Sequence, residues 1–320
     1  MTTLIIRRFL LMIPLLIGMS IVIFVLAKLQ PGDAFTGQMN PNIDAKYYEE
    51  QREKLGFNEP IHIQYLKWGE NVLKGELGDS IRYKRPVMDL IKERMPNTVL
   101  LGVTSIVITN LVAFPLGILS GRKPYSGLDY GVQFLNYLML AIPSFVAGVF
   151  AIYIFAFQLG WFPFSGSVAI GLEEGSFAYY MSKLYHAILP GTVLGLLSTA
   201  SYVQFLRNDI IENSRKDYIR TARAKGLSES KIYNKHILRN SIIPIVTFFG
   251  ADVLSVFGGA VITETIFSYP GIGKLLIDSI GGKDYPLMMA LLLFFSFLGL
   301  LANLISDITY SIVDPRIKSN

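Results

Sequence analysis

The chain has 320 residues, of which 52% are hydrophobic and only 17% charged; its net charge is +5 and it has no cysteine. Soluble domains carry about 25% charged residues, so this balance indicates a membrane protein, in which excess Lys and Arg reflects orientation and anionic lipid rather than nucleic acid. The absence of cysteine excludes disulfides, thiol catalysis and cysteine metal sites.

Arg7 and Arg8 precede an apolar run, 9–27, that contains no charged side chain. At a rise of ~1.5 Å per residue it reaches about 28 Å, close to the thickness of a hydrocarbon core. The two arginines would also suit the basic end of a signal peptide. The run is long for that role, however, and no small-x-small site closes it cleanly, so a retained first span over 9–29 is expected.

Residues 30–96 hold ten basic and eleven acidic side chains. Within this segment Ile63, Leu66, Trp68, Val72 and Leu73 recur at helical spacing and predict a one-sided apolar stripe, with Gly75 and Gly78 as stops. A small helical cap on the outer face is expected rather than a floppy loop. Five more spans are predicted at 97–120, 132–159, 186–206, 242–263 and 285–306. Pro115, Pro143 and Pro190 fall in or beside them; such prolines are common in membrane helices and mark kinks without requiring a function. The fold is thus read as an all-α, six-span membrane protein. Its parts are 1–30 with the first span, an outer segment 31–96, and a core 97–320 that includes an inner loop 207–241.

Orientation follows from the short segments. With the N-terminus inside, segments 1–8, 121–131, 207–241 and 307–320 hold 2, 2, 9 and 2 Lys or Arg. Outer loops 160–185 and 264–284 hold only Lys183, Lys274 and Lys283. That bias puts both termini in the cytoplasm.

Several polar residues lie inside the apolar runs. A carboxylate at mid-bilayer costs roughly 3 kcal/mol on insertion scales, so Asp252 has to face the bundle, a partner or water. It is a candidate pathway residue, with a helix-interface hydrogen bond and displacement toward the aqueous end as alternatives. Asn110, Gln133 and Asn136 are milder: amides of this kind link helices or line a pathway. Gly191 and Gly195 form a small-xxx-small pair for close helix approach. His62, His186 and His236 are too far apart in the chain to argue for a metal cluster or a Ser/His/Asp relay. Trp161, Phe162, Phe164, Tyr179, Tyr180 and Tyr185 read as interfacial belt residues, with substrate stacking as the lesser alternative.

The largest compact charge cluster is "DYIRTARAKGLSESKIYNKHILRN", residues 217–240. Asp217 is read as the cap of a short helix starting at Tyr218, Gly226 as its positive-φ terminator and Ser228 as the cap of a second helix. Thr221, Ala222 and Ala224 are small enough to let the first helix sit deep in a partner's groove. A stiff helix pair at a span junction would transmit a push from a soluble partner into two spans. Headgroup anchoring by Arg215, Lys216, Arg220, Arg223, Lys225 and Arg239 is the other reading. The chain has no phosphate loop of the form G-x-x-x-x-G-K-[ST]: Leu275 follows Gly273-Lys274, Ser268 stands at the first glycine position, and Asp284 follows Lys283. Any ATP-driven work therefore has to come from a partner.

The run from Thr221 to Gly226, "TARAKG", with Arg239, Asn240 and Pro244 after it, resembles the coupling motif of ATP-binding-cassette import permeases in the dipeptide, oligopeptide and nickel branch. The superfamily's general motif begins Glu-Ala-Ala, and this chain departs from it, with Arg220, Thr221 and Ala222 at those places. "RRFLLMIPLLIGMSIVIFVLAKLQPGD", "LGFNEPIHIQYLKWGENVLKGELGDSI", "RPVMDLIKERMPNT", "FGGAVITETIFSYPGIGKLLIDSI", "KDYPLMMA" and "DPRIK" are similar to the same branch, so the resemblance covers nearly the whole chain.

The resemblance implies the type I importer permease fold and a place as the first, B-type, of two permease subunits in a bacterial or archaeal cytoplasmic membrane. It implies two cytoplasmic ATPases that hold ATP and Mg2+, an extracytoplasmic substrate-binding protein, and no cofactor on this chain. Contact with the ATPases is implied for Tyr218, Ile219 and Arg220, for Thr221, Ala222 and Arg223, and for Ala224, Lys225 and Gly226. The cargo implied is short peptides, with nickel or oligosaccharides as alternatives. An ion-driven secondary carrier is the competing class; it needs inverted repeats or buried ion-coupling groups, and Asp252 alone points that way.

Overall fold

The structure, a computed structural model, describes residues 2–29, 59–242, 245 and 260–313. Ten helices carry labels: α1 (Thr2–Leu29), α2 (Ile61–Leu73), α3 (Val87–Arg122), α4 (Gly127–Ala141), α5 (Ser144–Ala151, prolonged by π-helical Ile152–Gln158), α6 (Phe177–Ser214), α7 (Asp217–Ala224), α8 (Glu229–Lys231, π-helical Ile232–Leu238, Arg239–Ile242), α9 (Ile272–Gly281) and α10 (Tyr285–Val313). Residues 260–266 are also helical. Among the described residues the β-type pairing is one isolated bridge, Asp79 with Pro86.

Four helices, α1, α3, α6 and α10, are long and apolar enough to cross a membrane, and α4 with α5 passes the same test as a pair. That pair corresponds to the predicted span 132–159, but it is bent by 100° and is not one straight helix. The cause is local. Ile142 precedes a proline and takes φ −81°, ψ 119°, because the proline ring excludes helical geometry from the residue before it. Pro143 then caps α5, where its missing N–H is not needed. Pro190, by contrast, sits inside α6 without ending it. The predicted span 242–263, with Asp252, lies almost entirely outside the described residues.

Two compact units divide the chain: Met1–Ile5, Asn97–Lys274 and Leu301–Asn320 form one, Ile6–Pro96 and Leu275–Leu300 the other. In the first unit α3 and α6 pack along each other. A Cβ added to Gly191 would come within 2.7 Å of the Thr104 methyl, and one on Gly195 within 2.7 Å of the Ser105 carbonyl oxygen. Farther along, Gly117 lies under Leu206 and Gly121 under Ile210. Thr109 Oγ1 also donates to the Gly195 carbonyl across the seam, 3.0 Å. Small residues allow this approach, and dispersion and hydrogen bonding stabilise it where lipid supplies no hydrophobic drive. The paired residues rise in number together, so the two helices are parallel, and the segment between them has to travel back along the bundle. It starts at Asp129 of α4, bonded to Arg207 near the end of α6, and reaches Ala151 of α5, which shares an apolar cluster with Leu101 and Ala187 in the first halves of α3 and α6. A second cluster, containing Val203, Leu206 and Ile210, lies at the opposite ends of those helices.

In the other unit, Tyr65 and Trp68 of α2 pack around Phe24 of α1, with ring centroids 5.5 and 5.8 Å away. Tyr65 Oη also shares a 2.9 Å hydrogen bond with Ser20 Oγ. The predicted outer helix is present, but its stripe is not one-sided. Tyr65, Trp68 and Val72, spaced i, i+3, i+7, form the half-buried face, whereas Leu66 and Leu73, one step round the helix, are 65% and 91% exposed. Gly75, at φ +81°, ends α2 as predicted.

Candidate functional site

The basic stretch forms a helical hairpin. Helix α7 begins at Asp217, and the preceding Lys216 is extended and gives no side-chain capping bond. Asp217 is therefore the first helical residue rather than the cap; it places negative charge in the first turn, where the helix dipole favours it, and pairs with Arg220 at 3.4 Å. The other end closes as a Schellman turn: Gly226 N donates to Arg223 O at 2.9 Å, and Leu227 N to Ala222 O at 3.3 Å. Gly226 has φ +73°, the left-handed geometry that glycine adopts without a Cβ penalty. Ser228 occupies the cap position of α8 but makes no side-chain capping bond.

The two faces of α7 have different surroundings. Ile219 is fully buried and Ala222 is 6% exposed. One turn apart, they join the cluster of Leu206 and Ile210 from α6 and Ile232 and Ile237 from α8. Tyr218, Arg220, Thr221, Arg223, Ala224, Lys225 and Gly226 are exposed. Ala222, grouped from the sequence with the residues that let a partner approach, instead faces this chain's own core; Thr221 and Ala224 are the small residues on the open side.

Polar contacts fasten the hairpin to the helix ends. Tyr218 Oη donates to Asn213 Oδ1 (2.9 Å) and accepts from Asn240 Nδ2 (3.3 Å). Asn213 Nδ2 in turn reaches Ser241 Oγ at 3.1 Å. Tyr233 of α8 donates to the Ile118 carbonyl of α3 (3.2 Å), under the Arg122 guanidinium at 5.0 Å from its ring; burial pushes its phenol upward. At the surface, Arg223 Nε and Nη2 meet the two Glu229 oxygens at 2.7 and 3.2 Å across the Gly226 turn, which holds the Glu229 carboxyl below its usual range. That pair is exposed and weakened by salt. The sequence marked Asn240 through its motif, but nothing in it singled out Asn213 or Tyr233.

Of the candidate pathway residues, Asn110 and Asn136 lie among the described residues. Asn110 is half-buried and donates to the Ile106 carbonyl of its own helix at 2.7 Å. Asn136 is 1% exposed, and its amide nitrogen has no hydrogen-bond partner among the described residues. Asp252 lies outside them. Among the described residues, no group of three His, Asp or Glu side chains is placed to hold a metal ion.

Glu264 is a buried acid that nothing in the sequence singled out. Glu264 has no exposed surface. It accepts from Thr98 Oγ1 at 2.6 Å and Lys274 N at 2.9 Å, while Ile272 N donates to the same Thr98 oxygen at 2.8 Å. Burial raises its carboxyl above the usual range, against these hydrogen bonds. The "PGIG" turn wraps so tightly that a Cβ on Gly271 would fall 2.1 Å from the carboxylate. The glycines at 271 and 273 thus enclose a carboxylate.

Comparison with known proteins agrees with this architecture. The family described as "Binding-protein-dependent transport system inner membrane component" matches residues 113–319, and its N-terminal counterpart matches residues 1–102. The oligopeptide transport system permease protein AppB of Bacillus subtilis (strain 168) is 42% identical over 319 residues, covering 99% of this chain and 100% of the relative. The di/tripeptide transport system permease protein DppB of Pseudomonas aeruginosa (strain UCBPP-PA14) is 34% identical over 336 residues, covering 99% of each. Among solved structures, the MetNI methionine ABC transporter in an inward-facing conformation is similar, with a TM-score of 0.57 at 15% identity over 71% of this chain and 97% of that one. That likeness concerns the fold.

Proposed function

Because the chain belongs to the family of binding-protein-dependent transport system inner membrane components, we propose that it is one of two permease subunits of an ATP-driven importer of short peptides. Separate cytoplasmic ATPases drive it by gripping the open side of α7. A second, homologous permease completes the pathway, an extracytoplasmic binding protein delivers cargo, and ATP and Mg2+ reside on the ATPases. Six spans, with both termini in the cytoplasm, fit the Lys and Arg distribution; the fifth is 242–263. Peptide cargo is supported by what the relatives from Bacillus subtilis and Pseudomonas aeruginosa transport.

The observation that carries this reading is the two-sided α7. Its inner face is anchored by Ile219 and Ala222, while Thr221 and Ala224 remain open on a helix closed by its own turn. A partner can grip the open side without disturbing the anchor. Swinging a gate from 1:99 to 99:1 takes about 5.5 kcal/mol of differential interaction, and a stiff, anchored helix is a suitable carrier for it.

The test is Ala224→Trp in the complex reconstituted in liposomes. The substitution fills the open face and leaves the buried contacts intact. Cargo-stimulated ATP hydrolysis should be lost while the permease retains wild-type thermal unfolding; undiminished stimulation would overturn the reading. A cargo panel of short peptides, nickel and oligosaccharides in the unmodified complex decides the substrate, and uptake confined to nickel or sugars would contradict the peptide assignment.

A further inference from the structure

Asp129 is 1% exposed, and both of its carboxylate oxygens are fully engaged. Oδ1 accepts from Arg207 Nε at 2.7 Å and from Ser120 Oγ. Oδ2 accepts from Arg207 Nη2 at 2.7 Å and from the Tyr125 backbone N at 2.7 Å. The three side chains come from three helices: Ser120 from the end of α3, Asp129 from the first turn of α4, and Arg207 from the last third of α6. Tyr125, in the α3–α4 turn, also places its ring 5.8 Å from the Arg207 guanidinium. Arg207 is 16% exposed, so it is committed to this contact rather than to lipid headgroups.

The position of the clamp gives it a role beyond local stability. Arg207 follows Leu206 directly and precedes Ile210 by less than a turn. Those two residues press on Gly117 and Gly121 of α3, and they form the seat for Ile219 and Ala222 of α7. The same turns of α6 therefore carry the clamp on one side and the seat on another. A two-pronged arginine–carboxylate pair fixes orientation as well as distance, whereas a single contact leaves a pivot.

We propose that the Asp129–Arg207 clamp, with Ser120, makes the ends of α3, α4 and α6 one platform beneath α7, so that a movement imposed on α7 shifts three helices together. Asp129 and Arg207 are then positioning residues for energy coupling. This proposal rests on α7 being the ATPase contact.

A purely structural ion pair has a known signature: apolar residues of similar volume replace it at little or no loss, whereas removal of one partner strands a buried charge. The test is therefore the double variant Asp129→Leu/Arg207→Met, together with Arg207→Lys and Ser120→Ala, each in the complete reconstituted complex. The readout is peptide moved per ATP hydrolysed. The platform predicts that the double variant assembles and remains folded at the assay temperature while this ratio falls about tenfold. Arg207→Lys, which keeps the charge but loses the fork, should lower the ratio in the same direction, and Ser120→Ala less so. A wild-type ratio in the double variant and in Arg207→Lys overturns the proposal. If the double variant fails to assemble, Arg207→Lys and Ser120→Ala decide alone: a reduced ratio supports the platform, and an unchanged ratio overturns it. Ala224→Trp separates this failure from failure of the α7 reading. Lost stimulation there, with wild-type ratios in the clamp variants, removes the platform only.

Discussion

At Gly226 the backbone rather than crowding sets the constraint. Its φ is +73°, yet nothing lies within 4 Å of where a Cβ would sit. Substitutions should therefore rank by tolerance of left-handed geometry, not by size. Asn should be mildest, Ala intermediate and Val worst, with the β-branched residue costing about 1–3 kcal/mol. Thermal unfolding of the purified permease checks the order; a ranking by side-chain volume alone would contradict the dominance of the left-handed turn. Residue identity also explains what sequence reasoning could reach. Gly226 and Ser228 punctuate the hairpin in plain view, so α7, its end and α8 were legible. Asp129 and Arg207 are 78 residues apart, and Thr98 and Glu264 are 166 apart. No local period connects such pairs, and each residue taken alone resembles an ordinary helix-end or interfacial polar side chain.

Helix packing depends on close approach, which can be tested with a pair of glycines. Gly195 of α6 meets a backbone oxygen of α3, and that atom cannot move without shifting the helix; Gly18 of α1 has nothing within 4 Å. Gly195→Ala should cost about 1–3 kcal/mol through overpacking. Gly18→Ala should be neutral or slightly stabilising, since alanine is the better helix former. Equal unfolding temperatures for the two variants would contradict the parallel α3–α6 seam. The Gly191/Gly195 spacing signals that seam in the sequence, and Gly117 and Gly121 carry the same spacing on α3. Hydropathy locates the third crossing but not its shape, because a run of apolar residues reports burial and says nothing of direction; the bend comes from Ile142 and Pro143. The stripe in α2 was half legible for a related reason. Leu66 and Leu73 satisfy a helical period, but which arc of the helix meets α1 is decided by Phe24, a partner outside the window.

For the molecule as a whole, the proposed role is that of a transmitter. The α3–α6 pair runs from the Glu264–Thr98 contact at one end of its unit to the seat of α7 at the other, so one rigid seam links both ends of the bundle core. Family membership supplies the kind of machine, and the geometry of α7 supplies the place where its work can enter. Because the chain has no cysteine, single cysteines give unambiguous probes in the full assembly. The most direct measurement is photocross-linking from Thr221→Cys and Ala224→Cys, each carrying a short photoreactive label, with Ile219→Cys as the buried control. The account predicts adducts with a nucleotide-hydrolysing subunit from positions 221 and 224 and none from 219. Adducts with lipid alone from both open positions would contradict it.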